Sequence, residues 1–538
     1  MEGPETIKRV LISVSDKTGL AEFGSFLHET GCEIISTGGT RKVLEEKGIL
    51  VTDIQKVTGN PEAFAGRMKT ISFQIESALL YDRETDSEEA ETLGIQPIDM
   101  VVCNLYPFEK VRNEGGDLPR LIENIDIGGP TMIRAAAKNY RWVTVVVDPS
   151  DYPSVMDNMK QNEGGTDVDF RFTLMRKAFN HTADYDSLIA VTMDEQAGDP
   201  TLRFAFDKPN ILRYGENAHQ KGILYRLRNS EDSLCDMEVL HGKSISYNNM
   251  FDLYGALEAV RDLKDSAVSI IKHANPCGLC QGKDQRKIFE KAWAGDPVSA
   301  FGSVIAFNRE LKEDTARFLE LDAEDKSRRK FVEIIAAPAF EPVALEYLKQ
   351  NKNLRIVIFD PARLKPEYDM KFLYNALLFQ DADKGVYEKL EYVSAKKNKV
   401  DENLIHFGLT AVRQLKSNAI CVARICSDGD IQLLGMGCGQ PNRVNSTQLT
   451  LERCRQNLIN EYKGEPERPE SYIREEMGKA VLFSDAFFPF PDNVELSHDA
   501  GIKTIVQPGG SIRDKAVIEK CDELRMTLIF TGMRHFKH

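Results

Sequence analysis

The sequence predicts an α/β protein of more than one domain, and three observations carry that reading. Short β-branched runs alternate with segments of helical spacing between residues 10 and 147, the pattern of strands and helices that build a parallel sheet covered on both faces. Hydrophobic residues are 42% and charged residues 28% of the chain, ordinary globular usage that excludes disordered, collagen-like and low-complexity proteins. The 538 residues, at about 150 per domain, give about three to four domains.

In chain order, segment 10–14 (VLISV) reads as a strand and 19–29 follows with helical spacing. Segment 32–35 is the next strand and 41–47 the next helix, while 100–103 and 143–147 are apolar runs bounded by polar residues. The polar, glycine-containing stretch 162–167 (NEGGTD) reads as a surface loop, and 170–190 as a long helix closing the first unit. Segment 194–200 (DEQAGDP) is polar and ends in Gly-Asp-Pro, so the main boundary is placed there. Beyond it, strands at 268–271, 303–307, 354–359, 419–423 and 504–506 mix with helices, and the polar stretch 394–403 suggests a second boundary. No short repeat period supports a solenoid or propeller.

Charge and targeting narrow the function. With 83 acidic against 69 basic residues the net charge is −14, which argues against a nucleic-acid partner. A local cluster of Lys and Arg can still hold a phosphate. Apolar runs such as 142–147 fall far short of the roughly 18 to 20 residues of a membrane helix, so no membrane partner is expected. The start MEGPET lacks the basic residues and the apolar stretch of about 7 to 15 that mark a secretory signal. Ten cysteines are too dilute for a disulfide scaffold, and the expectation is a reduced cytoplasmic enzyme of the cytosol.

Two loops suit an anion. Ser36, Thr37, Gly38, Gly39 and Thr40 lie between a strand and a helix, where glycines admit a close ligand and the helix start favours negative charge; a capped helix start without a ligand reads equally well. Ser13, Ser15 and Lys17 end the preceding strand, and strand C-termini are where open α/β sheets bind ligands. Neither loop matches GxxxxGK[ST], so ATP hydrolysis is not implied. The run PCGLC (276–280) matches half of the zinc-deaminase signature, but no His-x-Glu accompanies it, so no metal is expected. Lys272 and His273 follow an apolar strand, an arrangement suited to taking a proton from an amine while charge develops on a nearby oxygen. The glycine-rich GMGCG (435–439) lacks the spacing of a dinucleotide loop.

Together these motifs resemble the family of bifunctional purine-biosynthesis enzymes that join aminoimidazole carboxamide ribonucleotide (AICAR) transformylase to inosine monophosphate (IMP) cyclohydrolase. The matching segments are SVSDKTG (13–19), STGGT (36–40), GRMKT (66–70), CNLYPF (103–108), DIGG (126–129) and RAAAKN (134–139). Further on they are LRYGENAH (212–219), SYNN (246–249), KHANPCG (272–278), DPVSAFG (296–302), SDAFFPF (484–490) and MRHF (533–536). The resemblance implies a methylglyoxal-synthase-like cyclohydrolase domain over 1–197. It implies a transformylase region over 198–538, made of two cytidine-deaminase-like units at about 205–375 and 376–538. It also implies a homodimer with transformylase sites shared between subunits.

For formyl transfer from 10-formyltetrahydrofolate to AICAR, the resemblance makes His273 the proton acceptor, Lys272 the oxyanion stabiliser and Asn418 an orienting group. Arg213, Tyr214, Arg443 and Arg534 match positions for the nucleotide phosphate and base. His219, Phe301, Gly302, Glu333, Phe487, Phe490, Asp492 and Asn493 are further site candidates. For closure of the formylated product (FAICAR) to IMP, Lys69, Tyr106, Asp126 and Lys138 match the proton-handling positions. Ser13, Ser15, Lys17, the 36–40 loop, Arg67 and Thr70 would hold the phosphate, with Cys103, Asn104 and Gly128 beside them. Where the family continues LHPKVHGG after Lys69 and Thr70, this chain reads ISFQIESA (71–78), and a common second glycine is Ser303. The loss of Pro and Gly changes which backbone paths are easy, so the expectation is a retained cyclohydrolase with altered affinity. The alternatives are a transformylase with impaired cyclohydrolase, and a non-catalytic regulatory protein that binds purine nucleotides.

Overall fold

Strand Arg9–Val14 buries Val10, Leu11 and Ile12 completely, as a strand covered on both faces must. In the computed structural model, which describes residues 5–61, 63–64, 67–464 and 469–538, it is the central strand of a five-stranded parallel sheet. The order is Val51–Asp53, Glu33–Ser36, Arg9–Val14, Met100–Asn104, Thr144–Val146. Glu2, Pro4 and Gly66, used above, lie outside the described residues. Helix Leu20–Glu29 buries Leu20, Phe23 and Leu27 on one stripe, and Phe23 stacks on Tyr152 with ring centroids 4.4 Å apart. Helix Val168–Ala197 starts where Asp167 accepts from the Phe170 N–H at 2.8 Å and stops at Gly198 in the left-handed region.

The 162–167 stretch is not a surface loop throughout. Gly165–Thr166 pairs antiparallel with Glu5–Thr6, and buried Thr166 shares a 2.8 Å hydrogen bond with Thr144. The sequence looked loop-like because a two-residue strand has no period to read. The edge strand Val51–Asp53 was missed for the same reason.

The chain divides into two compact units, Met1–Ala205 and Phe206–His538. Among the described residues the second is organised on a twelve-stranded sheet. Its centre is the antiparallel contact between Asn275–Gly282 and Ile431–Gly437. Moving outward on one side, the strands are Ser266–Lys272, Ser303–Phe307, Val332–Ala337, Arg355–Ile358 and Glu238–His241. On the other side they are Ile420–Ile425, Val481–Ser484, Thr504–Gln507, Thr527–Phe530 and Glu391–Tyr392. Numbered along the chain within each half, both sides run third, second, fourth, fifth, sixth, first. The strand directions also match, with the fourth to sixth strands parallel and the remaining pairs antiparallel. The unit is therefore a topological duplication. The hairpin Tyr368–Leu373/Ala376–Asp381 stands outside this sheet, between the two sets of strands in sequence, with Tyr374 and Asn375 at its tip.

The GMGCG run serves packing. A Cβ on Gly437 would lie 2.2 Å from the Ser446 carbonyl oxygen, and one on Gly435 2.9 Å from that of Thr450. Glycine therefore lets helix Arg443–Glu461 lie directly on the strand. Cys277 and Cys280 are buried on the neighbouring central strand, and the Cys277 thiol donates to the Ile270 carbonyl at 3.3 Å. Burial pushes the Cys277 thiol up to about 12. Among the described residues no helix is long and apolar enough to cross a membrane.

Candidate active sites

In the first unit the C-terminal ends of the parallel strands open into a cavity of about 600 Å³. Ser13, Ser15, Lys17, Thr37, Gly38, Gly39, Thr40, Arg67, Lys69, Thr70, Asn104, Tyr106, Asp126 and Gly128 line it, so most of the expected residues converge. Helix Gly38–Glu46 begins at its floor, three residues earlier than the spacing suggests, with no side-chain cap and no acidic residue in its first turn. Its uncapped N–H groups favour an anion. Gly38 has a φ of 55°, and a Cβ on it would lie 3.8 Å from Lys69 Nζ, while one on Gly39 would lie 3.9 Å from Lys17 Nζ. Two ammonium groups thus flank the helix start. Thr40 locks the loop by donating to the Val14 carbonyl at 3.0 Å. Asn104 fixes the facing turn by accepting from the N–H groups of Ser15 at 2.6 Å and Asp16 at 2.9 Å.

Asp126 stands across this cradle. Its carboxylate accepts from the Gly129 N–H at 2.8 Å, and its own N–H donates to the Tyr185 hydroxyl at 2.8 Å. Burial raises its pKa above the ordinary carboxylate value, and backbone donors from Gly129 and Tyr106 oppose that rise. Ser36 and Cys103 sit behind the lining: Ser36 donates to the Ile12 carbonyl at 2.7 Å, and the Cys103 thiol, fully desolvated, titrates well above its usual range. Lys138 is exposed at the far end of helix Gly128–Lys138. That is about 15 Å along the axis from Gly128, and Lys138 is not a lining residue. Sequence reasoning missed Glu123, which lines the cavity and pairs with Arg67, and the apolar wall of Ile122, Ile125 and Ile127. Glu123 stands three residues before Asp126 with no motif to flag it.

In the second unit Lys272 ends its strand and His273 and Ala274 form the turn, with φ of 51° and 61°. Lys272 Nζ donates to the carbonyls of Gly302 at 2.8 Å and Phe301 at 3.2 Å. Phe301 lies 5.2 Å from the Phe331 ring, and nearby Glu333 accepts from Arg355 at 2.6 Å. Arg213 and Tyr214 sit where their loop meets the start of helix Tyr247–Arg261, with the Arg213 N–H donating to Ile245 and the Tyr247 N–H to the Tyr214 carbonyl. His219 is exposed.

A second group forms around Asp485. This fully buried carboxylate accepts from Arg443 at 2.5 Å and from the Ser417 hydroxyl at 2.6 Å. Burial lowers the pKa of Arg443, with Asp485 opposing. Asn418 follows Ser417; its amide donates to the Gln440 carbonyl at 2.9 Å, and its carbonyl accepts from Ser446 at 2.8 Å. The terminal segment joins this group: the His535 N–H donates to the Asp485 carbonyl, and Arg534 lies 4.5 Å over the Phe536 ring. Asn493 accepts from Thr447 at 2.8 Å and donates to Asp492. Phe490 is exposed beneath Arg513, 4.4 Å from its ring, and Phe487 is half-buried. Asn275, two residues past His273, links the groups by accepting from the Lys416 N–H at 3.4 Å and the Cys438 thiol at 3.3 Å.

A cavity of about 750 Å³ in this unit includes Arg534 and none of the other candidates in its lining. Sequence reasoning also missed Ser417, Asp485 and Asp252, which accepts from the Ala274 N–H in the turn after Lys272. Asp485 lies inside the SDAFFPF run, so a signal existed for it, whereas Asp252 had none.

Comparison with known proteins shows the family. Residues 19–131 match the MGS-like domain model and residues 136–453 the AICARFT/IMPCHase bienzyme model. The bifunctional purine biosynthesis protein PurH of Acetivibrio thermocellus is 42% identical over 99% of this chain and 100% of that protein. That of Clostridioides difficile is 43% identical, also over 99% of this chain and 100% of its own length. The crystal structure of ForH covers 36% of this chain and 100% of that chain at 31% identity, with a TM-score of 0.32, a likeness too slight to bear on the fold. With an MGS-like parallel-sheet unit in front of an α/β unit, and full-length relatives above 40% identity, the chain belongs to the AICARFT/IMPCHase bienzyme family of purine biosynthesis.

Proposed function

We propose that this bienzyme carries out its two steps at the two sites described, in the first unit (residues 1–197) for cyclohydrolase and in the remainder for transformylase. The observation that carries the reading is the 600 Å³ cavity, where an anion cradle flanked by Lys17 and Lys69 faces Tyr106 and Asp126. The cradle takes the ribose phosphate. In ring closure the carboxamide nitrogen attacks the formyl carbon and gives up one proton as the formyl oxygen becomes a hydroxyl. That hydroxyl takes a second proton and leaves as water, while the formylated amino nitrogen loses its proton and forms the C=N bond of the new ring. Asp126, whose pKa burial raises, supplies the proton to the leaving hydroxyl and takes back the one the formylated nitrogen releases, and Lys69 and Tyr106 handle the amide proton. Lys138 acts on this site through helix Gly128–Lys138 rather than by contact.

In the transformylase step the formyl donor is 10-formyltetrahydrofolate. The AICAR amine is a weak nucleophile because its lone pair delocalises into the ring carboxamide, so orientation and proton removal are what the site must supply. His273 takes the amine proton, and Lys272 meets the charge developing on the formyl oxygen. Asn418 orients them, Arg443 and Arg534 receive the nucleotide, and the exposed Phe301 and Phe490 rings support a flat heterocycle. A homodimer completes this open site. The hairpin bearing Phe372 and Tyr374, 82% and 97% exposed, gives each chain a large apolar surface to cover. The working compartment is the cytosol, and no metal takes part in this reading.

The test supplies FAICAR directly and follows IMP. Turnover in the wild type and in His273→Ala, with loss of IMP formation in Asp126→Asn, supports the assignment. Equal loss of FAICAR closure in His273→Ala refutes the division of labour.

A further inference from the structure

The segment 71–78 helps to build a second cavity. Ser72 caps helix Phe73–Leu80 by accepting from the Ile75 N–H. Helical spacing puts Phe73, Glu76, Ser77 and Leu80 on one stripe. That stripe faces Ala90, Leu93 and Ile95 across a cleft of about 370 Å³, with Asp86 and Glu89 at its side. The volume lies within the range of small-molecule sites.

The cleft has a marked charge bias. Its lining contains Glu76, Asp86 and Glu89 and no Lys or Arg. Phe73 and Leu80 are 60% and 43% exposed, an apolar surface that an occupant would cover. Glu76 lines the cleft and is half-buried. Its Oε1, shielded from solvent, has no hydrogen-bond partner among the described residues, a costly state that rotation of the carboxylate toward a donor in the cleft would relieve. Burial accordingly raises the Glu76 pKa.

We propose that this cleft is a binding site for a small organic cation, an ammonium or amidinium group on an apolar body, with the charged group on Glu76 and the body between Phe73 and Leu93. The site is separate from the phosphate cradle and tied to it mechanically. Thr70 lines the first cavity, Ile71 packs 3.8 Å from the Cβ position of Gly128, and the Asn139 amide donates to the carbonyls of Leu79 at 2.8 Å and Tyr81 at 3.0 Å. Helix Phe73–Leu80 is thereby held at both ends against helix Gly128–Lys138, whose start faces the first cavity.

The test measures binding of benzylammonium to the full chain by ligand-observed NMR, with benzyl alcohol and benzoate as neutral and anionic controls. Benzylammonium is expected to bind at about millimolar affinity, with benzyl alcohol about tenfold weaker and benzoate weaker still. Glu76→Gln is expected to lower benzylammonium affinity about tenfold and leave benzyl alcohol unchanged. Ser77→Trp, which fills the cleft, is expected to abolish binding of both. No benzylammonium binding, equal affinity in Glu76→Gln, or benzoate binding as well as benzylammonium each overturns the proposal.

Discussion

Asp252 accepts a hydrogen bond from the Ala274 N–H at 2.7 Å, and so holds the turn in which His273 and Ala274 both take left-handed backbone angles. Such angles cost about 1 kcal/mol or more per non-glycine residue, so the turn needs an outside tether. Burial raises the pKa of Asp252, and the Ala274 bond and the nearby His273 and Lys272 charges counter that rise. Asp252→Ala is expected to lower kcat for formyl transfer about 10- to 100-fold, since a small misplacement of reacting groups is enough. FAICAR closure in the same protein is expected to be unchanged, which separates this effect from general unfolding.

The Arg443–Asp485 pair is expected to be structural as well as functional. With both groups buried, removing one partner leaves an uncompensated charge, at a cost of about 3 to 5 kcal/mol. Arg443→Met should lower the urea midpoint of the second unit by more than Arg534→Met, because Arg534 is exposed. Equal midpoints would contradict this.

Asp126 links stability to pH. Its folded pKa is raised by burial, so the stability it contributes is present at acid pH, below its unfolded value, and is lost as pH rises through its folded value. Asp126→Asn is therefore expected to melt higher than wild type at neutral pH, with the gain vanishing in acid. The same substitution should slow FAICAR closure about 10²- to 10⁴-fold, as loss of a proton donor does. Thermal melts across pH and single-substrate kinetics check both halves.

Lys17 should act on binding more than on chemistry. It flanks the helix start at Gly39 and donates weakly to the Ser15 carbonyl at 3.3 Å. Lys17→Met is expected to raise KM for FAICAR about tenfold or more with little change in kcat, the pattern of a uniform binding contact. A large fall in kcat would place Lys17 in proton transfer instead.

Much of the first unit was legible in the sequence because its central strands are dense apolar runs and its loops carry glycines and hydroxyls at strand ends. Strand Arg9–Val14 and the 36–40 loop are examples. Val51–Asp53 and Gly165–Thr166 escaped because two or three residues show no period. The duplication of the second unit was expected only through the family resemblance, because residue spacing alone shows no repeat. It is a likeness of strand order, while the connecting loops differ in length and blur any repeat. Asp252 was missed because its partner lies 22 residues away and only the fold brings them together. Lys138 matched its family's motif, yet its distance from the cavity follows from the straightness of a helix, which no motif records.

The most direct measurement is a product-resolved assay of the purified chain with AICAR and 10-formyltetrahydrofolate, separating FAICAR from IMP. IMP as the end product, with FAICAR accumulating in Asp126→Asn and neither product forming in His273→Ala, is the expected result. Accumulation of FAICAR by the wild type would show that the 71–78 segment has impaired ring closure, and absence of both products would contradict the two-site account.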